Sequence, residues 1–212
     1  MTRLVNSYSW QPPPHWTRIT TIDMHTGGEP LRIIVDGLPE IPGNSVLDKR
    51  RYFREHYDPI RTGLMWEPRG HADMYGAVLT SSNDADFDVF FLHNEGYSTM
   101  CGHAILALTK FLVESGLTKK SQLRINVPAG TIQATASIEN GEVKEASFLN
   151  VPSYLYLRDQ YVDVQRLGRI RFDVAFGGAF YAFVEAKDVG LSLTADQFTQ
   201  IIDCGRMIKH AV

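Results

Sequence analysis

The chain has 212 residues, 44% hydrophobic and 21% charged, which suits one large globular domain or two small ones and argues against a disordered chain. A net charge of −3 with no Lys/Arg block gives nothing to attract nucleic acid, and no apolar run approaches the length that crosses a bilayer. The two cysteines, Cys101 and Cys204, are too far apart to suggest metal-ligand spacing or a disulfide framework.

Residues 1–16 read as an extended lead-in, because Pro12-Pro13-Pro14 favours an open backbone. The stretch lacks the apolar core of a signal peptide, so a cytoplasmic location is expected. Residues 17–23 are rich in β-branched side chains, His25-Thr26-Gly27-Gly28 interrupts them, and a second strand is expected at 31–35. In 45–57 the apolar positions Val46, Phe53 and Tyr57 predict a helix, with Pro59 as its stop. Residues 67–76 are polar and glycine-punctuated, rich in side chains suited to lining a site. A buried strand at 88–92 then delivers the chain into the polar run 93–99. Ile105, Leu108, Phe111 and Leu112 predict a helix over 102–115, with Ser98 or Thr99 as N-cap and Gly116 as the stop. Strands are expected at 124–127, 131–136, 143–148, 169–175 and 181–184, the last two joined by Gly177-Gly178. Thr194 opens a capping-box pattern, and Phe198, Ile201, Ile202 and Ile208 mark a final helix. That helix runs to the end of the chain without a cap or polar tail, so a C-terminal portion is expected beyond Val212.

Cys101 stands at the start of the 102–115 helix, in Met100-Cys101-Gly102-His103. A free thiol is only about 3% thiolate at pH 7, yet the thiolate is the form that abstracts protons. A helix N-terminus favours the anion through unpaired N–H groups and the macrodipole, and Gly102 permits close approach to those groups. The same end suits a substrate carboxylate, so one element could hold an amino acid and present a base to its α-carbon. A buried structural cysteine is the commoner meaning of an isolated Cys-Gly pair. The polar turn before it, the glycine after it and His103 beside it favour chemistry.

Asp23-Met24-His25-Thr26-Gly27-Gly28-Glu29-Pro30, Arg69-Gly70-His71 with Asp73-Met74-Tyr75-Gly76, His93-Asn94-Glu95-Gly96-Tyr97 and Met100-Cys101-Gly102-His103-Ala104 together resemble the proline racemase family. Within it they look most like the members that dehydrate trans-3-hydroxy-L-proline. Phe176-Gly177-Gly178-Ala179-Phe180-Tyr181-Ala182 resembles the family's second glycine-pair segment, so the likeness runs from Thr17 to the end. The resemblance implies an α/β (α+β), two-lobed fold of the diaminopimelate epimerase type with the substrate between lobes. The first lobe is expected to be complete over 17–172, and the second only begun over 173–212.

The resemblance also implies that Cys101 accepts the α-proton and that Gly102 and His103 contact the substrate. The implied reaction is dehydration of trans-3-hydroxy-L-proline to pyrroline-2-carboxylate, with no cofactor and no metal. The family's racemases and epimerases carry a second cysteine in a Ser-Pro-Cys-Gly type motif, and its dehydratases a threonine there. This chain has no such motif. Cys204-Gly205 lies in a helical pattern without the neighbouring Ser-Pro, and reads as structural. A proline racemase or 4-hydroxyproline epimerase therefore stays open beside the dehydratase. Ala104, where racemases and epimerases tend to carry glycine, leans to the latter. A non-catalytic homologue is a third reading, and this 212-residue chain by itself is expected to be inactive. The expected partner is a small amino-acid substrate, with neither nucleic acid nor membrane; a homodimer is left open.

Other residues carry two readings. Asp23 and His25 fit site lining and turn chemistry equally. Arg69, His71 and Asp73 fit orientation or closure over a substrate, or somewhat better an Arg–Asp pair on a loop. Gly177 and Gly178 read as backbone requirements between strands.

Overall fold

A computed structural model describes residues 11–212. Residues 1–10 of the expected lead-in lie outside the described residues. Strands β1 (Thr20–Thr26) and β2 (Glu29–Asp36) form a hairpin about Gly27 and Gly28, both at positive φ. Helix α1 (Val46–His56) is N-capped by Ser45, whose Oγ accepts from the Asp48 N–H. Pro59, expected as a stop, instead sits in the first turn of α2 (Asp58–Met65), where an N–H has no intrahelical partner to lose. Then come β3 (Tyr75–Thr80), β4 (Phe87–His93), α3 (Gly102–Glu114), β5 (Gln122–Val127), β6 (Gly130–Glu139) and β7 (Glu142–Leu149).

The seven strands form one sheet in sequence order, parallel only at β2–β3 and β4–β5. Those two crossovers carry the helices, and they lie on opposite faces. Period-two alternation shows this directly. Leu31, Ile33, Ala77, Val89 and Phe91 face α3, whereas Ile34, Val78, Phe90 and Leu92 face α1 and α2. Strand β4 is buried on both faces, which is why it reads as an unbroken apolar run. Beyond β4 the sheet curls so that Leu123, Ile125, Val127, Ile132 and Ala134 also close on α3. Beneath the α1 face, Lys49 and Asp88 form a buried ion pair at 2.8 Å.

The chain leaves this sheet after Leu149 and enters a second at β8 (Tyr154–Val164), which pairs with β9 (Gly168–Phe176); β10 (Phe180–Phe183) pairs on the other side of β9. The expected boundary at 172/173 thus falls inside β9. Strand β8 escaped the sequence reading because it is exposed along nearly its whole length and has no buried alternation to betray it. Thr194 does not cap the last helix. It precedes a 3₁₀ turn over Ala195–Gln197, and α4 (Phe198–Ala211) starts after that turn. Cys204 is a free buried thiol in α4, packed with Val164, Ile170 and Ile208, as its structural reading expected. No helix among the described residues is long and apolar enough to cross a membrane.

Candidate active site

Three segments converge on the first turn of α3. From the β1–β2 hairpin, Thr26 Oγ1 donates to the His103 carbonyl at 2.9 Å, and the Pro30 carbonyl lies 3.2 Å from His103 Nε2.

The second segment is the chain between β4 and α3, which α2 clamps. The Arg61 guanidinium forms a two-pronged pair with Asp58 at 2.7 and 2.8 Å and donates to the carbonyls of His93 and Asn94. Tyr97 Oη donates to Asp58 at 2.6 Å, and the Asn94 amide donates to the carbonyls of Met65 and His71. The Arg61 hydrogen bonds hold the Asp58 carboxyl below the usual carboxylate range, while burial pushes the Tyr97 phenol up.

The third segment is the β9–β10 turn. Thr99 Oγ1 donates to the Gly178 carbonyl, and Asn150 Nδ2 donates to the Gly177 carbonyl at 2.8 Å. Gly178 has φ +102°, and a Cβ there would stand 2.7 Å from Met100 Cβ. Glycine is required at 178. A Cβ on Gly177 would meet nothing, so the backbone reading holds for only one of the pair.

Cys101 itself is the N-cap residue of α3, and Ser98 and Thr99, expected there, lie before it. The first intrahelical bond runs from the Ile105 N–H to the Cys101 carbonyl at 3.1 Å, which leaves the N–H groups of Gly102 and His103 without helical partners. Cys101 Sγ lies 3.4 Å from His103 Nδ1 and 3.6 Å from Nε2. A carbonyl can only accept, so the contact with Pro30 assigns the Nε2 proton and makes Nδ1 the ring acceptor facing the thiol.

The thiol's acidity departs from the sequence expectation. Burial pushes the thiol's pKa up to about 12, the Ala104 N–H pulls the other way, and the Glu29 carboxylate adds to the rise. Cys101 is 6% exposed, and here desolvation outweighs the helix end.

The cleft over this turn has a volume of about 320 Å³, at the small end of ligand pockets. Gly102 and His103 line it with Cys101, as do Glu29, Tyr75, Phe148, Asn150 and Tyr181. Phe148 covers Gly102 so closely that a Cβ would stand 3.2 Å from its ring. A larger hollow of about 880 Å³ between β10 and α4 is mainly apolar and holds no group paired for proton transfer.

The other residues singled out in the sequence do not line the cleft. Asp23 is turned to Arg32, whose guanidinium grips both its oxygens at 2.7 and 2.8 Å and holds its carboxyl below the usual carboxylate range. His25 Nδ1 accepts from the Gly28 N–H at 3.3 Å, which is turn chemistry. Arg69 does not pair with Asp73. Its side chain approaches the Gly63 carbonyl at 3.5 Å, and its own carbonyl accepts from Arg32. His71 Nδ1 contacts the carbonyl of Ala72 beside it, and Asp73 takes a positive φ in the loop. Tyr75 and Glu29 stood inside the quoted motifs without being singled out. Tyr181 lies in the 176–182 segment that carries part of the family likeness, whereas Phe148 and Asn150 come from a distant strand and connection, and nothing local in the sequence marks them.

The sequence model of the proline racemase family matches residues 21–212. The chain is 49% identical over 212 residues to a trans-3-hydroxy-L-proline dehydratase of Colwellia psychrerythraea, covering 96% of this chain and 60% of that one. It is 45% identical over 213 residues to the trans-3-hydroxy-L-proline dehydratase of Homo sapiens, covering 94% and 60%. A solved hydroxyproline epimerase from Agrobacterium vitis, with bound trans-4-OH-L-proline, superposes with a TM-score of 0.85 at 26% identity, covering 91% of this chain and 58% of that one. The chain thus spans about 60% of the length of the curated relatives it matches.

Proposed function

The chain belongs to the proline racemase family, and from that premise we propose that it carries the α-proton-abstracting site of a cofactor-independent trans-3-hydroxy-L-proline dehydratase. The observation that carries this reading is Cys101 Sγ at the unpaired N-terminus of α3, 3.4 Å from an acceptor nitrogen of His103, within a cleft of small-molecule size. The names of the dehydratases at 45–49% identity support the choice of reaction.

The substrate carboxylate takes the N–H groups of Gly102 and His103, where the helix end favours an anion. His103 Nδ1 accepts the thiol proton, and the thiolate removes the proton from Cα. The electron pair left at Cα forms the Cα–C3 double bond as the 3-hydroxyl departs as water, and the product tautomerises to pyrroline-2-carboxylate. A thiol held near 12 is rarely ionised at pH 7 but is a strong base when it is, which suits a weakly acidic C–H. The proposal extends to a cytoplasmic protein acting on a small amino acid; the size of the cleft supports the second part.

The test is incubation of the intact gene product with trans-3-hydroxy-L-proline and detection of pyrroline-2-carboxylate. A racemase or epimerase is the second reading, favoured by the fold shared with the hydroxyproline epimerase. Change of optical rotation with no loss of amino acid selects it.

A further inference from the structure

We propose that Tyr75 is a catalytic residue that donates the proton on which the substrate's 3-hydroxyl leaves as water, an inference that rests on the dehydratase reading above. In a five-membered ring with carboxylate and 3-hydroxyl trans, the Cα hydrogen and the hydroxyl share one face. A base that takes the Cα proton from that face therefore has the leaving oxygen on its own side of the ring. The proton donor must come from the wall that carries Cys101.

Tyr75 stands on that wall. It begins β3, beside the N-terminus of α3, and lines the cleft with Cys101. Its ring is fixed between two imidazoles, edge-on to His103 at 5.2 Å and tilted against His93 at 5.5 Å, so the phenol is aimed by packing. The phenol lies close enough to Cys101, Tyr181 and Glu29 for their charges to act on it, and the buried Ser98 hydroxyl lies beside it. Burial, then Cys101, raises its pKa, which keeps the phenol protonated and able to donate.

The other proton-bearing groups in the cleft are placed less well. His103 Nε2 is committed to the Pro30 carbonyl and Nδ1 faces the thiol. Tyr181 comes from the second sheet and is 61% exposed, and Glu29 stands on the exposed rim.

The step balances. The Cα proton passes to the Cys101 thiolate, the C–H pair becomes the Cα–C3 double bond, and the C3–O pair leaves with oxygen. Oxygen takes the Tyr75 proton and departs as water. Transfer of the Cys101 proton to the phenolate then restores both groups.

Tyr75→Phe keeps the ring and its packing but removes the proton. The intact gene product and this variant are incubated with trans-3-hydroxy-L-proline in D₂O, following pyrroline-2-carboxylate and deuterium at Cα of the remaining substrate. The expected result is a loss of dehydration of about 100-fold or more, the range for one general acid, with Cα exchange within about threefold. Dehydration by the variant within about threefold of the unsubstituted protein overturns the role of Tyr75 and leaves the dehydratase reading standing. Parallel loss of exchange and dehydration also overturns it, since Tyr75 then serves only to position His103 and Cys101. If the unsubstituted protein neither exchanges nor dehydrates, the dehydratase reading fails, and this inference with it.

Discussion

Cys101 shows how far a local motif can be read and where it stops. Met100-Cys101-Gly102-His103 announces a thiol at a helix start with a histidine beside it, and the structure places Sγ 3.4 Å from Nδ1 of that histidine. The direction of the acidity shift was not legible, because Cys101 is buried in a core whose members, Leu31 and Val151 among them, lie far away in sequence. The shift has a consequence for stability. The folded value of about 12 lies above the ordinary 9.0, so folding holds the proton more tightly than the unfolded chain does. The associated stability is whole below pH 9 and is lost as pH rises toward 12. Thermal melts from pH 8 to 11 should therefore show the unsubstituted protein losing on the order of 2–3 kcal/mol more than Cys101→Ala by pH 11. Superimposable profiles would mean that the thiol is not buried as described. Asp23, His25, Arg69, His71 and Asp73 mark the other limit. Their types suit a site, but Asp23 is occupied by Arg32 and His25 by the Gly28 N–H, and these pairings depend on strand register and loop closure.

At the scale of elements, periodic segments were readable and exposed or proline-started ones were not. Helix α3 announces itself through apolar residues at helical spacing and strand β4 through unbroken burial, whereas α2 begins at the Asp58-Pro59 pair that looks like a terminator and β8 shows almost no buried face. The seam over the site depends on the β9–β10 turn meeting the start of α3, and the two glycines of that turn separate its causes. Gly178→Ala should cost about 1–3 kcal/mol, since the new Cβ meets Met100 at 2.7 Å and the residue must keep φ +102°. Gly177→Ala should stay within about 0.5 kcal/mol. Equal denaturation midpoints for the two variants would remove the seam from the account. Beneath the opposite face, Lys49→Met should cost about 3–5 kcal/mol by stranding the buried Asp88 carboxylate, and adding Asp88→Leu should recover most of it. Chemical denaturation of the single and double variants decides whether the pair or the packing matters.

The described residues form two sheets that meet at a cleft, with the Cys101 turn on the first and a glycine turn of the second laid over it. The order of the seven-stranded sheet follows from short connections and two helix-bearing crossovers, which is why the α/β class was legible. The position of the sheet change was not, because no glycine or charge cluster marks the passage between Leu149 and Tyr154. The second sheet also exposes Tyr154, Tyr156, Phe180, Tyr181 and Phe183, a surface that periodicity could not anticipate. The central claim, that Cys101 is the base of a dehydration, is tested most directly by one comparison. The intact gene product and its Cys101→Ser variant are incubated with trans-3-hydroxy-L-proline, and pyrroline-2-carboxylate is measured over time. The account predicts steady formation of the product by the unsubstituted protein and a loss of at least about 1,000-fold in the variant, as for removal of a proton-abstracting group. Unchanged product formation by Cys101→Ser would contradict it.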